Sequence, residues 1–220
     1  MNLLLRYYSL KWLHLFIGII LANLLLVWLS KSVLINEIVF YNTYSEQLTY
    51  DRSLKLFENM NSIAWISYAF VPVILLIKFS LVSLLIFTGI IFCNIRDKVS
   101  LGSVFKIVIA SELVFIIAGL FKFLWFYLFA GNYDLNDLGF FYPLSLINFF
   151  NPSEVSKLWL YPLQTINLFH LCYIISISCG LCKVCELNKA DSEKVVLLSY
   201  LPGLVIWVAL IMFLTIDISV

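Results

Sequence analysis

Residues 103–130 read SVFKIVIASELVFIIAGLFKFLWFYLFA, 28 positions broken by only three charges, Lys106, Glu112 and Lys122. As a helix rising about 1.5 Å per residue the stretch would be about 42 Å long, more than the roughly 30 Å hydrocarbon core of a bilayer demands. Lipid offers no partner for free backbone N–H and C=O groups, so a run of this kind closes its hydrogen bonds internally, as a helix. The pattern is continuous rather than alternating, which excludes the ten-residue alternation of an outer-membrane barrel.

Working outward, four more apolar runs carry the same signal. Trp12–Leu29 follows Arg6 and Lys11 and lacks a small-x-small cleavage site, so it reads as a retained first helix rather than a signal peptide. Ile63–Ile95 exceeds one span and contains Pro72. Proline lacks an N–H and clashes with the preceding turn, which predicts a kinked lead-in over Ile63–Ile74 and a span over Ile77–Ile95. Leu163–Cys182 and Val195–Ile216 complete the set. The expectation is an all-α, polytopic helical bundle of about five transmembrane helices, a single membrane domain over residues 1–220 with outer loops 31–62 and 131–161. Composition agrees: 63% hydrophobic, 12% charged, mean hydropathy +1.01. A chain so poor in charge cannot cover itself in water. A net charge of +1 without a basic stripe excludes nucleic acid as a partner.

Orientation is read from Lys and Arg. Arg6, Lys11, Arg96, Lys98, Lys106, Lys183, Lys189 and Lys194 flank one side; Lys31, Arg52, Lys55 and Lys157 flank the other. The richer side is cytoplasmic. This puts the N-terminus inside and the C-terminus outside, in what the sequence suggests is a bacterial cytoplasmic (inner) membrane.

The outer loops are rich in apolar residues. Loop one predicts a short amphipathic helix near Tyr50–Asn59. In loop two, Asn151-Pro152-Ser153-Glu154 resembles a helix start, with Asn as cap and Pro first. Its aromatics fit either an interfacial belt or a docking surface for other membrane or external-side proteins, with Phe140, Phe141, Phe149 and Phe150 as anchors.

Among candidate site residues Glu112 leads. It lies about ten residues, or about 15 Å, from the inner end of its helix, and an ionisable group near the midplane is costly without a partner. Counted from the boundaries above, Lys78 and Lys122 fall near the outer interface, so His170 is the expected partner, with Asn23, Asn167 and Gln164 completing a midplane polar cluster. Such a cluster serves as interhelical glue or lines an ion or proton path.

Cys179, Cys182 and Cys185 form C-x2-C-x2-C, with Cys172 upstream. The set lacks the fourth ligand and proline of a ferredoxin run, and steps of three drift around a helix, so small buried hydrophobes are expected rather than a metal site. No phosphate-binding loop, zinc-protease motif, nucleophile elbow or dinucleotide fingerprint occurs. The reading is non-enzymatic, with no catalytic residue, cofactor or metal.

Leu163-Gln-Thr-Ile-Asn-Leu-Phe-His-Leu-Cys-Tyr173, Gly180-Leu-Cys-Lys183 with the following basic loop and last span, and Gly102-Ser-Val-Phe-Lys106 together resemble the Yip (Ypt-interacting-protein) family over roughly the C-terminal half. The resemblance implies five spans, N-terminus inside, and a membrane scaffold or accessory subunit, with protein trafficking or secretion as its setting. The alternative is a transporter or permease component with a polar path near Glu112 and His170.

Overall fold

The computed structural model describes residues 8, 10–95, 99–152 and 154–218. Arg6, Arg96 and Lys98 of the charge count, and Ser153 of the proposed cap, lie outside the described residues.

The described chain is helical, with no strand beyond one isolated bridge between Ser145 and Asn167. Helix α1 (Trp12–Leu29) is lengthened by a π turn, Ser30–Leu34. Two short helices follow in loop one, α2 (Glu37–Tyr44) and α3 (Tyr50–Ser62). The second matches the amphipathic helix expected there. The first was not anticipated; the Asn36 side chain starts it by accepting from the Val39 N–H at 2.9 Å.

Next come α4 (Ala64–Phe92), α5 (Leu101–Ser111) and α6 (Leu113–Leu128). Loop two contains α7 (Leu135–Phe140) and a 3-10 turn, Leu146–Phe149. The chain ends in α8 (Lys157–Thr165), α9 (Leu168–Val184) and α10 (Lys189–Ile218).

Among the described residues, four helical segments are long and apolar enough to cross a membrane: Trp12–Leu34, Ala64–Phe92, Leu101–Leu128 and Lys189–Ile216. The fifth apolar helix, α9, is shorter. Its 17 residues make about 25 Å, less than a full hydrocarbon core.

Of the boundaries that differ from the sequence reading, three have a clear local reason. Pro72 does not divide the second segment: α4 runs unbroken for 29 residues. A proline inside a membrane helix is tolerated where neighbouring groups re-satisfy the backbone. The fourth segment begins at Leu168, not Leu163, because Asn167 caps it, accepting from the His170 N–H at 2.8 Å while its own amide donates to the carbonyls of Gln164 and Thr165 at 2.7 and 3.1 Å. The Asn151 cap is not used. Its amide donates to the Glu154 carboxylate at 3.0 Å, and helix α8 starts only at Lys157. A capping box forms instead at α7, where Asp134 and Asp137 bond each other's backbone N–H.

Helices α4, α5, α9 and α10 pack together, and α1 lies across α4, α5 and α6. Phe79, Ile86, Ile90, Val104, Ile107, Ile177, Leu181, Val195 and Val196 fill the centre. Large apolar side chains on the outer faces, such as Leu21, Ile74, Phe121 and Ile206, remain exposed, as expected of surfaces that meet lipid rather than water.

Candidate functional site

The centre of the bundle holds an ion pair. Lys78 of α4 donates to both carboxylate oxygens of Glu112, at 2.7 and 2.8 Å. Glu112 is the single residue between α5 and α6, and the chain tightens there: the Phe115 N–H bonds the Glu112 carbonyl at 2.9 Å, a three-residue closure. The carboxylate is buried, 3% exposed, so its charge is matched by one ammonium rather than by water.

Position explains the pairing. Lys78 is fourteen residues from either end of α4, so it stands at the middle of the span rather than near the interface. Glu112 follows the start of α5 by eleven residues, Tyr200 follows the start of α10 by eleven, and Tyr173 precedes the end of α9 by eleven. All three therefore sit about 16 Å from the same end of the bundle, and the lysine stem covers the difference of about one turn.

Aromatic rings enclose the pair. The Lys78 ammonium lies 4.3 Å from the Phe115 ring centre and 5.9 Å from that of Tyr173. Tyr173, fully buried, packs against Phe115 at 4.8 Å and Tyr200 at 5.5 Å, and its hydroxyl has no hydrogen-bond partner. Beneath them the Ser176 hydroxyl donates to Ser111 at 3.0 Å, joining α9 to α5. From loop two, Tyr142 belongs to the same region. Burial, then the negative charge of Glu112, then Tyr161, push its phenol up to about 12, so it stays a neutral hydroxyl.

The anticipated polar cluster is thus divided. Glu112 does not bond His170; Lys78 takes that place. His170 faces the edge of Phe115 at 5.0 Å, and its Nδ1 is 3.1 Å from the Asn167 amide. Asn167 and Gln164 brace the break between α8 and α9 against loop two, with Gln164 donating to the carbonyls of Gly139 and Phe140 at 2.7 and 2.8 Å. Asn23 stands apart, its amide returned to the Ile19 carbonyl of its own helix at 2.9 Å.

The four phenylalanines divide as well. Phe141 stacks on Trp125 at 5.4 Å and meets Phe126 edge-on, and Phe140 is half-buried. Phe149 and Phe150 remain open, 85% and 50% exposed.

Of the cysteines, Cys172 and Cys179 are exposed, while Cys182 donates to the Ser192 hydroxyl at 3.1 Å. Cys185 is buried, which raises its thiol to about 11, against ready nucleophilic use. Among the described residues no group of three metal-ligating side chains gathers.

Lys78, Phe115, Tyr142, Tyr173 and Tyr200 were absent from the sequence-derived site. For two of them a positional signal exists: counting from the helix ends sets Tyr173 and Tyr200 at the depth of Glu112. No protein-family model, curated protein or solved structure matches the chain.

Proposed function

We propose that this protein is a non-enzymatic membrane scaffold or accessory subunit of a membrane complex, with protein trafficking or secretion, the setting implied by the Yip-like segments, as its context. In this reading α8 and α9 together make a fifth crossing, the N-terminus is cytoplasmic and the C-terminus external, in a bacterial inner membrane.

The observation that carries the proposal is the closure of the central charge within one chain. Both oxygens of Glu112 are taken by Lys78, so the pair ties α4 to the α5–α6 junction. Two clefts, of about 390 and about 760 Å³, lie at the loop-one end of the bundle, and neither is lined by Lys78, Glu112 or His170. The polar centre thus acts as a fastening, while Phe149 and Phe150 offer apolar surface to an external-side partner.

A transporter component is the second reading. It is favoured by the midplane pair lying beside the interrupted α5–α6 and α8–α9 helices, since discontinuous helices frame many transport sites. Proteoliposomes containing the purified chain and an internal pH-sensitive dye separate the two. The scaffold reading expects no proton flux under an imposed potential; a flux that disappears in Glu112→Gln would replace it with the transporter.

Two further results are expected. A reporter fused after Val220 should read as external and one in the Lys189 loop as internal; matching compartments would remove the five-crossing arrangement. The Phe149→Ser/Phe150→Ser variant should insert with stability within about 0.5 kcal/mol of wild type, as surface changes do, yet lose its co-purifying protein in the native host. Retention of every native partner would refute docking at these residues.

A further inference from the structure

Where α1 ends and α4 begins, two aromatic–polar pairs face one cleft. Trp28 and Lys31 stand three residues apart on α1 and its π turn; Trp65 and Tyr68 stand three residues apart on α4. The cleft is shallow and open, about 760 Å³ in volume, and also has Glu37, the first residue of α2, in its lining. Both tryptophans are open, 54% and 66% exposed. Lys31 reaches across the cleft, its ammonium donating to the Ser67 hydroxyl at 3.3 Å and lying 5.4 Å from the Tyr68 ring centre.

The charges in this cleft are not used on each other. Ion pairs among the described residues are Lys78–Glu112 and Lys189–Glu193; Lys31 and Glu37 form none. An ammonium has three N–H donors, and Ser67 engages one. Opposite charges held apart in one concave, aromatic-walled space complement a ligand that carries opposite charges at two points. The place narrows the class. The cleft opens at the end of a membrane-length helix, where tryptophan, tyrosine and snorkelling lysine meet lipid headgroups.

We infer that this cleft is a binding site for a zwitterionic aminophospholipid. The lipid phosphate lies against the Lys31 ammonium, and its amine lies toward the Glu37 carboxylate. The glycerol and upper acyl chains lie between Trp28 and Trp65. An acidic residue at the first position of a helix is also favoured by the helix dipole, so a stability measurement cannot isolate a ligand role for Glu37. Selectivity between headgroups can. A lipid with net negative charge gains from Lys31 but is opposed by Glu37; a zwitterionic one gains from both.

The test uses the full chain in nanodiscs of equal phosphatidylethanolamine and phosphatidylglycerol. Extraction into mild detergent and native mass spectrometry then count the lipids retained. Wild type should retain phosphatidylethanolamine in excess. Lys31→Met should lower its retention about fivefold, the effect of one basic side chain at a headgroup, while Lys31→Arg keeps it. Glu37→Gln should hold total retention but shift the preference toward phosphatidylglycerol. Helical content by circular dichroism should be unchanged in all three. Wild-type preference for phosphatidylglycerol, equal retention in Lys31→Met and wild type, or an unaltered preference in Glu37→Gln would each overturn the assignment.

Discussion

Lys78→Met should lower stability by about 3–5 kcal/mol, the cost of leaving one partner of a buried pair without its counter-charge. For a chain of this size that is a fall of roughly 10 °C in thermal midpoint, measured in one detergent at fixed pH. Removal of the other partner should cost less. The Glu112 side chain is 4% exposed and has nowhere to turn, whereas the Lys78 side chain is 37% exposed and its stem can swing toward an interface once released. Glu112→Gln should therefore fall short of Lys78→Met. The double variant Lys78→Met/Glu112→Leu should recover most of the loss, because apolar replacement of both charges removes the desolvation penalty together with the attraction. Thermal midpoints of wild type, Lys78→Met, Glu112→Leu and the double variant make the cycle, and the interaction term follows by difference. The ion pair would not be a fastening if Lys78→Met matched wild type, or if the losses of the two single variants simply added in the double variant.

That prediction rests on a contact the sequence suggested only in part, and the reason is instructive. Long apolar runs forced helices, so Trp12–Leu29 and the run around Glu112 were legible directly: nothing else satisfies a backbone in lipid. The cost of a lone carboxylate pointed to a polar partner for Glu112. The choice of partner failed through one assumption about Pro72. Reading it as a break moved the start of the span to Ile77 and left Lys78 at the interface, whereas in the intact Ala64–Phe92 helix it is central. Asn167 was misplaced for the opposite reason. It sits inside an apolar stretch that looks continuous, and only its side-chain bond to the His170 N–H shows that a helix starts there. In loop two, Asn151-Pro152 has the composition of a cap, but the Asn151 amide binds Glu154 and the helix waits for Lys157. Local patterns gave the elements; depth and partner choice depended on where the helices truly end. The aromatic enclosure by Phe115, Tyr173 and Tyr200 draws on three helices, and no single segment encodes it.

Close helix contact supplies the other large effect. At Gly89 of α4 an added Cβ would stand 2.6 Å from the Ser199 Cβ, 2.8 Å from its hydroxyl and 3.1 Å from the Val195 carbonyl oxygen of α10. Neither a Cβ nor a backbone carbonyl can rotate away, so the two helices must separate. Separation would loosen the packing of Ile86, Ile90, Val195 and Val196, all fully buried, and dispersion falls steeply across even a small gap. Gly89→Leu should thus cost about 3 kcal/mol, at the upper end for overpacking. Gly89→Ala should cost less, because alanine regains about 1 kcal/mol of helix propensity. Gly18 provides the control. Like Gly89 it lies singly within a membrane-length helix, yet nothing lies within 4 Å of a Cβ built there. Gly18→Ala should be neutral or stabilising by up to about 1 kcal/mol. A compensating change locates the effect: Gly89→Ala/Ser199→Gly exchanges the small residue between helices and should be more stable than Gly89→Ala, despite the poor helix propensity of the new glycine. Thermal midpoints of the five proteins decide it. If Gly89→Leu matched wild type, or Gly18→Ala fell as far as Gly89→Ala, the α4–α10 contact at this depth would not be what holds the two helices together.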